Sequence, residues 1–116
     1  MATPALRRSD FKETYAVHAA LRNGIRSKLF KKDAPAQKAA DRLLKHMESE
    51  KSIYGRQCKM IKLMEKGASI GKLRKGLNCS RRTVFRYFID LEAADIDIKL
   101  EGSTYRVAKG LLKLLS

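Results

Sequence analysis

Gly67-Ala68-Ser69-Ile70-Gly71-Lys72-Leu73-Arg74-Lys75-Gly76-Leu77-Asn78-Cys79-Ser80-Arg81-Arg82-Thr83-Val84 packs two helix stops and two helix starts into one short run. Gly67 is a good C-terminal stop for whatever helix precedes it. Ser69 can cap a short helix carrying Ile70, Leu73 and Leu77, because its hydroxyl can accept an orphan backbone N–H. Asn78-Cys79 makes a tight turn. Ser80 then caps a third helix, from Arg81 to about Ala94, whose Val84, Phe88 and Leu91 share one face at i, i+4 and i+7. Upstream, Ser52 to Gly67 forms an amphipathic helix through Ile53, Ile61 and Met64, with part of Met60 and Leu63. Downstream of Asp95 the period changes from 3.6 to 2: Ile96, Ile98 and Leu100 alternate with Asp97, Lys99 and Glu101. Gly102-Ser103 turns the chain and Thr104 to Val107 returns, which predicts a β-hairpin.

Further out the signals are helical. Asp10 and Glu13 have capping-box spacing, and Phe11, Tyr15, Val17, Leu21, Ile25 and Leu29 recur at about helical intervals, predicting a helix over 10–30 with Gly24 its weak point. Asp33-Ala34-Pro35 restarts a helix that runs to about 50, striped by Ala36, Ala39, Ala40, Leu43, Leu44 and Met47. Residues 1–8 read as a frayed terminus, and Gly110 to Leu115 as a final helical turn or a strand extension. The expected fold is mainly α with a small β-hairpin: a winged helix-turn-helix over residues 52–116, preceded by two N-terminal helices in an extension over 1–51. The apolar stripe of that extension needs a surface, either the winged helix of the same chain or a partner chain. A homodimer is the expected arrangement.

The charge narrows the chemistry. The 116 residues carry 26 Lys+Arg and 12 Asp+Glu, net +14, unevenly spread. Residues 56–86 hold ten Lys+Arg and a single acid, Glu65, while residues 87–116 are net −1. Concentrated positive potential fits a polyanion partner, since each neutralised phosphate releases condensed counterions. An apolar content of 44% argues against a disordered basic tail. No apolar run suits a membrane span, and no signal peptide is visible, so a cytoplasmic, nucleoid-associated protein with no membrane partner is expected. Cys58 and Cys79 have no second Cys or His pair at ligand spacing, so no metal and no cofactor is expected. Gly67-Ala68-Ser69-Ile70-Gly71-Lys72 is one residue short of a phosphate loop and follows a helix rather than a strand. No nucleophile–base or carboxylate pair stands out, and the chain is read as no enzyme. His18 and His46 default to surface or half-buried roles.

Three segments resemble DeoR-like winged-helix regulators over about residues 53–107. They are Arg56 to Gly67; Cys79-Ser80-Arg81-Arg82-Thr83-Val84-Phe85-Arg86 followed by Asp90-Leu91-Glu92-Ala93-Ala94; and Gly102-Ser103-Thr104-Tyr105-Arg106-Val107. Asp95 stands where that family usually has Gly. The resemblance implies that Ser80, Arg81, Arg82, Thr83 and Arg86 face a DNA groove and that Lys99 and Arg106 lie on the wing. Lys72, Arg74 and Lys75, flanking the short helix, can clamp phosphates, with Arg56, Lys59 and Lys62 as further candidates. Phe85 and Tyr87 either stack on bases or belong to the core.

The expectation is therefore sequence-specific binding of double-stranded DNA, as in a transcriptional regulator. The helix Arg81–Ala94 would read the major groove and the wing would touch the backbone. The alternative is an architectural protein that coats DNA with little sequence preference. No effector segment follows the hairpin, so regulatory input is expected from the N-terminal helices, from a regulatory protein partner or from concentration.

Overall fold

The computed structural model describes residues 10–112. Among these residues five helices precede one hairpin: α1 (Phe11–Arg26), α2 (Ala34–Glu48), α3 (Ile53–Glu65), α4 (Ile70–Leu77), α5 (Arg81–Ala93), β1 (Lys99–Glu101) and β2 (Thr104–Arg106). The expected fold class is the observed one. Each helix starts on a side chain that accepts a backbone N–H three residues on: Asp10, Asp33, Ser52, Ser69 and Ser80. Such a cap contributes about 1 kcal/mol, because those N–H groups have no partner inside the helix.

Helix ends follow a second local rule. Lys28 (φ 57), Asn78 (φ 50) and Asp95 (φ 65) are left-handed residues that close α1, α4 and α5. At Lys28, its N–H reaches Ile25 O and the Leu29 N–H reaches Gly24 O. Asp95 and Ile96 repeat the pattern on Glu92 O and Leu91 O. These paired bonds satisfy the last carbonyls and reverse the chain. They also shorten α1 to Arg26 rather than 30, and Leu29, expected inward, is 72% exposed. The second helix stops at Glu48, where Ser49 returns both its N–H and its hydroxyl to His46 O.

Gly67 (φ 86) ends α3 differently. It turns the chain so that the Ala68 N–H reaches Tyr105 O at 3.0 Å and the Tyr105 N–H reaches Ala68 O at 2.8 Å. The corner between α3 and α4 thereby adds a third strand-like rung to the hairpin. β1 and β2 pair antiparallel, Lys99 with Arg106, Leu100 with Tyr105 and Glu101 with Thr104. The pairing is shorter than the alternation from Ile96 predicts. Ile96 is drawn into the cap of α5 and buried, and Leu100, expected inward, is 56% exposed.

One apolar cluster joins Met60, Ile61 and Met64 of α3, Leu73 and Leu77 of α4, and Val84, Phe88 and Leu91 of α5. Phe11, Met47 and Tyr54 extend it toward α1 and α2, with the Phe11 and Tyr54 rings 5.3 Å apart. The stripe of α2 is only partly covered: Ala40 and Met47 are buried, while Ala39 and Leu43 remain exposed. His18 corrects the expectation of a surface or half-buried residue, for it is fully buried where α1 meets α2 and α3. Its Nε2 donates to Glu48 Oε2 at 2.9 Å, and its Nδ1 meets Tyr54 Oη at 2.7 Å. Arg22 donates to the same Glu48 oxygen at 2.7 Å. Burial, the strongest influence on Glu48, pushes its pKa up, but the bonds and charges of His18 and Arg22 together bring it below the usual 4.5. Burial raises the pKa of the Tyr54 phenol, which keeps its proton available. It likewise pushes the neighbouring Cys58 thiol up to about 12, so that thiol is an inert core group.

Gly55, near the start of α3, makes this junction possible. A Cβ there would lie 2.0 Å from Ser49 O and 2.8 Å from Met47 O, so the α2–α3 connection rests directly on the helix backbone. Gly110 (φ 75) opens a turn, and Leu111 and Leu112 follow without helix or strand. The frayed terminus expected over 1–8 and the leucine-rich end beyond Leu112 lie outside the described residues.

Candidate nucleic-acid interface

The face of α5 opposite its core is a continuous stripe. Val84, Tyr87, Phe88 and Leu91 are buried, so the 3.6-residue period turns Arg82, Arg86 and Ile89 to the other side. All three are exposed, Ile89 to 67%. Among the described residues no carboxylate pairs with Arg82 or Arg86. An exposed isoleucine in register with two unpaired arginines was missed in the sequence, although the spacing 82, 86, 89 was there to find it. Arg81, also exposed, lies over the Phe85 ring at 5.3 Å, a cation–π contact that steadies the guanidinium at the helix start.

Ser80 and Thr83 have a structural task. The Ser80 hydroxyl accepts the Thr83 N–H at 3.2 Å and lies 3.1 Å from the Thr83 hydroxyl. They shape the end of α5 where backbone N–H groups and the positive end of the helix dipole meet solvent, a favourable place for phosphate. On α4, Lys72, Arg74 and Lys75 are exposed around the buried Leu73 and Leu77. α4 and α5 pack together through the Asn78-Cys79 turn, so these three cations and the arginines of α5 belong to one helix pair.

The hairpin stands beside that pair. Tyr105 packs on Phe88 with ring centroids 4.7 Å apart, and the Ala68 rung fixes its base. Lys99 and Arg106 are directly opposite across the strands. The Arg106 Nε lies 3.1 Å from Glu101 Oε1, an ion pair that neutralises part of the charge expected of the wing. Two open questions resolve. Tyr87 belongs to the core, buried with its hydroxyl accepting from Arg56 Nε at 3.2 Å. Phe85 is half-buried against Phe88. Arg56, a further phosphate candidate, is held inside instead, its Nη2 donating to Leu77 O at 2.8 Å, where it satisfies a terminal carbonyl of α4. Lys59 lies 2.6 Å from Glu50.

Among the described residues no group of three or more His, Cys, Asp or Glu could hold a metal ion, and no helix is long and apolar enough to cross a membrane. No curated protein and no solved structure matches the chain. Residues 50–91, which span α3, α4 and most of α5, match the family described as the helix-turn-helix domain of resolvase. The match does not single out the DeoR-like winged-helix family; it supports a helix-turn-helix DNA-binding domain in this chain.

Proposed function

We propose that the protein binds double-stranded DNA sequence-specifically and acts as a transcriptional regulator. In this reading α5 enters the major groove, α4 holds phosphates and the hairpin touches flanking backbone. The observation that carries it is the outer stripe of α5. A buried, paired arginine holds a fold together; Arg82 and Arg86 have no carboxylate partner among the described residues and stand on the N-terminal half of the helix that a groove about 12 Å wide admits. Each guanidinium can take guanine O6 and N7 as a bidentate fork. Ile89, one turn further on, offers an apolar contact suited to a thymine methyl. Lys72, Arg74 and Lys75 then supply salt-dependent affinity without sequence choice.

We propose a homodimer, with the partly uncovered stripe of α2 in the interface and residues 1–51 acting as an extension to the module over 52–116. The test is selection from a random duplex pool at near-physiological salt, followed by sequencing. An enriched inverted repeat supports both proposals, since two-fold proteins read paired half-sites about one helical turn apart. An enriched single site keeps sequence choice and removes the symmetric dimer. Retention without any motif replaces the regulator with an architectural, DNA-coating protein. No retention overturns the DNA reading.

A further inference from the structure

α3 carries a second basic surface, of which the regulator reading uses only Arg106, at its edge on the hairpin. Lys59, Lys62 and Lys66 recur at i, i+3 and i+7, on the side of α3 turned away from the buried Met60, Ile61 and Met64. Arg106 of β2 and Lys109 beyond it line the same open groove of about 740 Å³. Glu65 is the acidic residue in its lining, and its Oε2 accepts the Gly110 N–H at 3.1 Å, which fastens the chain after β2 to the end of α3. Lys59 and Arg106 pair with Glu50 and Glu101 and Lys62 is engaged as well, while Lys66 and Lys109 pair with no carboxylate among the described residues.

The core lies between this groove and the stripe on α5. Met60, Ile61 and Met64 point into the shared cluster from α3, and Val84, Phe88 and Leu91 from α5, so Lys62 and Lys66 face outward on one side and Arg82 and Arg86 on another. A duplex on α5 therefore leaves the α3 groove open to solvent. Lys59 to Lys66 covers about 10 Å at the rise of an α-helix. Over that length one strand of a duplex presents about three phosphates, a spacing that Lys59, Lys62 and Lys66 can follow, with Arg106 and Lys109 beside them.

We propose that the α3 groove takes the phosphate backbone of a second DNA duplex, so that one chain bridges two DNA segments. The inference rests on the DNA-binding reading of α5. Its contacts are to backbone alone, so the second duplex needs no particular sequence.

The test uses a duplex tethered to beads, the full-length protein and a free fluorescent duplex. Single-duplex affinity is measured in parallel by anisotropy. The wild type captures the free duplex once the tethered one is saturated. Lys66→Glu with Lys109→Glu, both at exposed positions, lowers capture roughly tenfold while changing single-duplex affinity less than about twofold, as loss of two backbone contacts on a separate face requires. Thermal melting of the double variant checks that it is folded. Saturation without capture overturns the inference and leaves the regulator reading intact. Capture that survives the charge reversal assigns bridging to paired copies of the chain and overturns it. An equal loss of single-duplex affinity puts both faces on one duplex and overturns it as well. Charge-sensitive binding to phosphatidylserine vesicles without bridging reassigns the groove to a lipid surface. A wild type that binds no duplex overturns both readings.

Discussion

At the junction of α1, α2 and α3, Arg22 lies 2.7 Å from Glu48, and where α3 meets α4 and α5, Arg56 donates to Leu77 O and Tyr87 Oη. On the outer face of α5, Arg82 and Arg86 have no protein partner among the described residues. The side chain is the same and its role is opposite. Inside, a guanidinium is kept because removing it strands a buried acceptor or charge. Outside, an unpaired guanidinium adds little to the fold and remains available to a ligand. In a chain of net charge +14, the number of cations therefore says less about function than the presence or absence of a partner for each.

The largest expected effect tests the junction itself. Gly55→Ala places a methyl group 2.0 Å from Ser49 O, so the α2–α3 connection must move off the helix. Urea denaturation should show a loss of about 3 kcal/mol. Gly71→Ala on α4, where the nearest atom is the Ser69 hydroxyl at 3.8 Å, should instead gain about 0.5–1 kcal/mol, as alanine does in an open helix. Similar stability for the two variants would mean that the junction yields, and that its arginine is not held as rigidly as the distances indicate.

Next comes the contrast between the arginines. Arg82→Ala and Arg86→Ala should each weaken binding to the selected site by about 1–3 kcal/mol and relax its sequence choice, with melting temperature unchanged. Arg22→Ala should lower the melting temperature and leave the affinity of the folded protein alone. Lys72→Ala should weaken all sequences alike. An Arg82→Ala variant that melts early while keeping its site preference would erase the distinction between inside and outside.

Acid should weaken the junction. The native pKa of Glu48 lies below its ordinary value: burial raises it, but His18 and Arg22 more than offset that. The native state therefore holds this proton less readily than the unfolded chain. The stabilisation is present above the ordinary range near 4.5 and is lost as pH falls through the lower native value. Glu48→Gln should cost about 1 kcal/mol at neutral pH and narrow its deficit in acid. A deficit that stays constant with pH would mean that the carboxylate charge is not what holds His18 and Arg22.

What the sequence made legible was mostly local. Asp10, Asp33, Ser69 and Ser80 announce helix starts because a cap reaches only three residues. The helix pair followed from them, the hairpin from the alternation after Asp95 and the Gly102-Ser103 turn, and the outward arginines of α5 from its core face. Features that depend on distant chain were hidden. His18 is buried by Tyr54 and Glu48, 36 and 30 residues away. Gly55 looked like an ordinary helical glycine until the path of Ser49 was known. Lys28 closes α1 in a left-handed conformation for which lysine carries no sequence signature. Ile89 stands at helical spacing after Arg82 and Arg86, a position that turns it outward although its apolar side chain alone gives no sign of exposure.

The smallest effect bears on whether charge also holds α1 to the end of α5. Asp95 adopts φ 65 in the cap of α5, the place where the DeoR-like family usually has Gly. A left-handed conformation costs an ordinary L-residue roughly 1–2 kcal/mol, and aspartate less because it tolerates that region. Asp95→Gly removes this cost but gives the unfolded chain more freedom, which works the other way. It also removes the Lys12–Asp95 contact, 3.6 Å between side chains that are both largely exposed, where solvent and salt screen the attraction. The backbone relief should prevail, with a gain of about 0.5 kcal/mol in urea denaturation at moderate salt. A loss that shrinks as salt is added would reverse the balance. The Lys12–Asp95 pair would then be a working tie between α1 and α5, and partnered charge would extend from the junction to the edge of the helix that carries the unpaired arginines.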